Sequence, residues 1–75
     1  MTLDEKKRQV RAVLNSAEKP IGPTEIARRI GEWWCYSHTA GTSYPQSSRI
    51  VPVLRKMKGV RRHKGGRYSF KQEQG

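Results

Sequence analysis

Cys35 and His38 stand three residues apart in Cys35-Tyr36-Ser37-His38, and His63 is the other histidine of this 75-residue chain. A C-x-x-H spacing is half of a zinc site. A structural zinc takes four ligands in recognisable pairs, and one half-pair with a distant histidine falls short, so no metal is expected. A thiol near an imidazole also suggests a cysteine nucleophile, which needs a positioned base and a pocket. A chain this short buries only about 60% of its unfolded surface and has no room for a deep cleft. Neither an enzyme nor a cofactor is therefore expected. Gly65-Gly66 does not form a phosphate-cradling loop, which needs a strand before it and a helix after it. A single cysteine makes no internal disulfide, and a reducing, cytoplasmic setting is the default.

The remaining chemistry is that of charge. The chain carries sixteen Lys and Arg against six Asp and Glu, for a net charge of +10. Nine of the sixteen lie between Gln46 and Lys71, a stretch without a single acidic residue. Such asymmetry points to nucleic acid or an anionic membrane as partner. No apolar run approaches the ~18 residues of a spanning helix, and MTLDEKKRQV lacks a signal peptide's apolar segment. A polyanion in solution is the better fit, and no membrane association is expected.

Three helices are expected to position these cations within one domain, residues 1–75. Thr2 and Glu5 have the form of a capping box, and Leu3, Val10, Val13, Leu14 and Ala17 recur on one face of a helix over 3–17. Lys6, Lys7, Arg8 and Arg11 face outward there as an ordinary solvated surface. Lys19-Pro20-Ile21-Gly22 breaks the pattern, and Ile21 suits a very short extended segment that pairs with a later hairpin. Pro23 fits the first position of a second helix over 23–30, with Glu25 in its favourable first turn.

Residues 32–45 show no clean period and read as a long loop. At least one of Trp33 and Trp34 is expected to be buried there, closing the second helix against the third. Ile50, Val53, Leu54 and Met57 then give the stripe of a third helix over 46–58. Ser47 or Ser48 is available to cap it. Pro52 costs it a backbone bond, so a start between Pro45 and Ser48 with some distortion is expected. At about 100° per residue, Ser48, Val51, Pro52 and Arg55 lie opposite the stripe, with Arg49 and Lys56 on one flank. Gly59 stops the helix.

A hairpin over 60–63 and 67–71 follows. A loop of Lys64, Gly65 and Gly66 puts Val60 opposite Phe70 and Arg62 opposite Tyr68. That register gathers the apolar residues on one face, while Arg61, His63, Arg67 and Ser69 point to the other. Residues 72–75 read as a frayed tail outside a core of 3–71.

Helix, extended residue, helix, loop, helix, hairpin is the order of a mostly α domain with a small β-hairpin. With PIGPTEIARRIG and SSRIVPVLRKMKG as its two helices, and VRRHKGGRYSF as its wing, the chain resembles the winged helix-turn-helix DNA-binding family. The resemblance covers nearly all of residues 3–71 and departs from the family's pattern in the long turn before the third helix. It implies a sequence-preferring duplex-DNA-binding protein, a small transcriptional regulator, nucleoid-associated if bacterial. The third helix would lie in the major groove with Gln46, Ser47, Ser48, Arg49, Arg55 and Lys56. The wing would set Lys64 and Arg67 on the backbone or minor groove, with Arg61 and His63 nearby. Gly65 and Gly66 would allow close approach there, and Thr24 would anchor a phosphate at a helix start. Two other readings stay open: a protein-interaction module using Trp33, Trp34, Tyr36 and Tyr44, and a binder of RNA or single-stranded DNA.

Overall fold

Thr2 opens the first helix as its sequence predicts. The Thr2 Oγ1 accepts the Glu5 backbone N–H at 3.2 Å, and the hydroxyl reaches Glu5 Oε1 at 3.3 Å. Helix α1 (Leu3–Ser16) then runs until Ala17 turns extended. The computed structural model describes residues 1–70. The expected end of the hairpin at Lys71 and the frayed tail at 72–75 lie outside the described residues. Helix α2 (Pro23–Ile30) starts on proline and closes where the Gly31 N–H meets the Ala27 carbonyl at 3.0 Å. Val10 and Leu14 of α1 and Ile26 and Ala27 of α2 are buried. Leu3, expected on the α1 stripe, is 38% exposed, because the first turn sits at the margin of the core.

Residues 32–45 are not the irregular loop expected. Trp33–Cys35 form one 3₁₀ turn, followed by an antiparallel hairpin of β1 (Tyr36–Thr39) and β2 (Thr42–Pro45). Tyr and Thr favour strands, and Ala40-Gly41 makes the two-residue turn between them. Gly41 has φ +77° there, a conformation that costs glycine little. The hairpin is rooted by Cys35, which is wholly buried, and by a 3.0 Å bond from the Gln46 N–H to the Cys35 carbonyl.

Helix α3 (Ser47–Arg55) is shorter than expected at its end, and its cap differs. Gln46 occupies the cap position and makes no side-chain capping bond; Ser47 and Ser48 lie inside the first turn. The N–H groups of Lys56 and Met57 bond three residues back, to Val53 and Leu54 at 3.1 Å. These tight turns end the α-helix at Arg55, before Gly59 redirects the chain. Pro52 removes one intrahelical bond and lies on the exposed side of the helix. The buried side is the predicted stripe of Ile50, Val53 and Leu54, continued by Met57. Each such side chain contributes about 1.5–3 kcal/mol by leaving water.

The second hairpin has the predicted register. Strand β3 (Val60–His63) pairs with β4 (Arg67–Phe70), with Val60 opposite Phe70 and Arg62 opposite Tyr68. Ile21 forms the expected bridge to β4 at Tyr68. The result is a small α+β domain of three helices and two short antiparallel hairpins around one core. Among the described residues, no helix is long and apolar enough to cross a membrane.

Candidate nucleic-acid interface

The cations fall into two electrostatic classes. On α2, Glu25 accepts from Arg28 Nη1 at 2.7 Å and from Arg29 Nε at 3.0 Å. The hydrogen bond from Arg29 leads in holding the Glu25 carboxyl below its ordinary value; desolvation, the next effect in size, opposes it, and the charges of both arginines add to the lowering. One carboxylate thereby holds both arginines of α2 and offsets one of their two charges. Downstream, Arg49, Arg55, Lys56, Lys58, Arg61, Arg62, Lys64 and Arg67 are all exposed. None of them forms a salt bridge among the described residues.

Helix α3 does not gather its predicted residues into one cluster. Ser48, Arg49 and Lys56 border a groove against α1, whose Lys6 and Trp34 form the other side. Arg55 borders a second groove, between α3 and the hairpin, together with Val51, Val60, Arg62 and Tyr68. Gln46 and Ser47 are half-buried, and the backbone of Gln46 is bonded on both sides, to Cys35 and Arg49. Their expected place among freely exposed residues is corrected accordingly. Thr24 is exposed in the first turn of α2, next to Glu25.

On the hairpin, Lys64 is exposed at the tip beside Gly65 and Gly66, whose φ values are +86° and +74°. A Cβ at either glycine would meet nothing within 4 Å. Their role is therefore conformational, and the tip is open on all sides. Arg67 borders a different cleft, with Pro20, Ile21, Glu25 and Arg29. His63 is half-buried, its Nε2 2.6 Å from Ser69 Oγ. Ser69 is the cross-strand partner of Arg61, so His63 sits on the same face as Arg61 and braces the two strands there.

Two residues set aside by the sequence reading belong with this surface. Arg62 shares the face of Val60 and Tyr68, yet is exposed and borders the Arg55 groove. Lys6 borders the Arg49 and Lys56 groove, its Nζ 5.3 Å from the Trp34 ring centroid. The signal for Arg62 was its distance from the core end of the strand; for Lys6 there was none, since it depends on how α1 crosses α3.

The aromatic residues divide in the same way. Trp34 is half-buried and donates from Nε1 to Gln9 Oε1 at 2.8 Å. The turn that carries it packs against both α2 and α3, as expected, and Trp34 adds a contact to α1 through Gln9 and Lys6. Trp33 is exposed and stacks on His38, while Tyr36 is half-buried and Tyr44 exposed. Both ring nitrogens of His38 have protein partners, Ser43 Oγ at 3.0 Å and the Trp33 carbonyl at 3.2 Å. Burial pushes the Cys35 thiol up to about 11, so at neutral pH it is a protonated core residue. Among the described residues, no three of His, Cys, Asp and Glu are grouped to hold a metal ion.

No protein-family model matches the chain, and no curated protein or solved structure matches it.

Proposed function

We propose that the protein binds double-stranded DNA as a winged helix-turn-helix domain. In this reading α3 enters the major groove and the β3–β4 hairpin lies on the backbone or minor groove. The observation that carries it is a run of exposed cations from Arg49 to Arg67 with no acidic residue among them. Eight exposed cations on and after α3, Lys58 included, have no acidic partner among the described residues. Arg8, Arg11 and Lys19 also lack one, but they stand among acidic residues in the sequence, and the arginines of α2 are tied to Glu25. Unpaired cations on a helix and a hairpin suit phosphate contacts, and arginine on a helix can read guanine with two hydrogen bonds. The order of elements agrees with the same reading, with Ile21 bridging the second strand of the hairpin. A small transcriptional regulator is the role proposed for such a module.

The test is duplex binding measured across a range of salt. Each neutralised phosphate releases counterion and contributes a log–log slope of about −0.9 on B-DNA. About five contacts give roughly −4 to −5 by the same rule. An affinity that stays flat from low to moderate salt would remove the electrostatic basis of the proposal.

A further inference from the structure

Trp33 is 76% exposed, the most of any large hydrophobic side chain described, yet it is held in place. Its indole stacks on the His38 imidazole with centroids 3.5 Å apart and planes 12° from parallel. His38 is fixed in turn by its bonds to Ser43 Oγ and to the carbonyl of Trp33 itself. An aromatic anchor at a protein interface fills a pocket on its partner. An indole already covered on one face is poorly made for that, because it offers a single flat open face. The ligand that suits such a face is another flat ring.

The surroundings say which kind of ring. Lys6 borders the crevice beside Trp33 and Trp34, and it also borders the groove of Arg49 and Lys56. A strand leaving α3 therefore meets a cation just before the indole, and the platform is continuous with the proposed duplex surface. Glu32 borders the same crevice. Its carboxylate disfavours a phosphate at that point but can accept from a base amino group, as carboxylates do from cytosine.

We infer that Trp33, backed by His38, is a stacking platform for one unpaired nucleobase. The preferred ligand is then duplex DNA continued by a short single-stranded extension. The duplex part of this ligand rests on the function proposed above. Stacking of one base on an aromatic side chain strengthens binding by roughly ten-fold or more, with little regard for sequence.

The experiment uses the full chain and labelled DNA of one core sequence. The probes are a blunt duplex, the same duplex with a short extension at either strand end, and the free single strand. Binding is followed by anisotropy, and Trp33 emission is read in a Trp34→Phe background. An extension at one strand end should tighten binding roughly ten-fold and quench the indole. Trp33→Ala should abolish the gain and leave the blunt duplex bound as before, and Trp33→Phe should keep part of the gain. Affinities of Trp33→Ala in the otherwise unchanged chain make the test independent of how Trp34→Phe folds. Equal binding of blunt and extended duplexes would overturn the inference, as would a gain that survives Trp33→Ala. So would a Trp33→Ala effect confined to self-association in sedimentation, which would make this face a protein contact. If every duplex failed while the single strand still quenched Trp33, the duplex reading would fall and the platform would stand.

Discussion

Arg55 on α3 and Arg62 on β3 border one groove, floored by Val51, Val60 and Tyr68, and neither has an acidic partner among the described residues. Two like charges that share a groove repel each other in the free protein, and an anion placed between them relieves this. Arg55→Ala is expected to cost about 1–3 kcal/mol on a preferred duplex and to relax sequence preference. Neighbouring residues that share a ligand are coupled. The Arg55→Ala, Arg62→Ala double variant should therefore depart from the sum of the single effects. Isotherms on specific and scrambled duplexes, arranged as a double-mutant cycle, measure both. Binding unchanged in all three variants would show that the groove does not meet DNA.

Lys64 is placed for anchoring, at an open tip. Lys64→Ala should weaken all duplex sequences about equally and make the salt slope shallower by about 1. A loss confined to one sequence would instead assign Lys64 to base reading.

The tip itself depends on a left-handed backbone at Gly66. A Cβ there meets no neighbour, so any penalty is torsional and not steric crowding. Gly66→Ala should destabilise by about 1–2 kcal/mol. Gly66→Asn should cost less, since asparagine tolerates this region better. Thermal or urea melts of the two variants rank them, and an equal loss in both would contradict a purely torsional cost.

Leu54 is 3% exposed within the α3 stripe. Leu54→Ala should lower stability by about 2–5 kcal/mol through the lost contact and the cavity left behind. Arg55→Ala, one residue on, should leave the melt nearly unchanged. The pair checks the orientation of α3 without any ligand.

Cys35 supplies a pH dependence. Its thiol is pushed up to about 11 in the fold, against an unfolded value of about 8.5. The folded state therefore keeps its proton where the unfolded state has lost it. Stability from this group is present below about pH 8.5 and falls as pH rises, by about 2–3 kcal/mol at pH 11. Other groups titrate in the same range, so the measurement is the difference between wild type and Cys35→Ala across pH. A difference that does not change from neutral to alkaline pH would mean that the thiol ionises freely in the fold.

How far the sequence discloses this molecule depends on whether the determining interactions are local. The starts of α1 and α2 were legible because Thr2, Glu5 and Pro23 act within a turn of themselves. The register of β3 and β4 was legible because Val60, Tyr68 and Phe70 have to share a face. The hairpin at 36–45 was missed although its strand formers flank a two-residue turn, because the tryptophans and hydroxyls obscure any alternation. The end of α3 was missed because Lys56 and Met57 fit a helix by type and tighten only through tertiary packing. The two-sided layout of the α3 cations was not legible either. It follows from where α1 and β3 cross the helix, which no spacing within α3 records.

The bridge between Ile21 and Tyr68, with N–H to carbonyl distances of 3.0 and 2.8 Å, makes the only backbone hydrogen bonds between the β3–β4 hairpin and the preceding segments among the described residues. Among the described residues, side-chain packing of Val60, Tyr68 and Phe70 against the core and the Arg11 guanidinium over the Phe70 ring also hold the hairpin. Such an arrangement lends itself to opening as a unit before the helices unfold. The amides of Ile21 and Tyr68 would then exchange with solvent at one shared rate, faster than those of Ile26 or Leu54. The hairpin would then behave as a separable cooperative segment, whose one backbone stitch joins residues 47 positions apart.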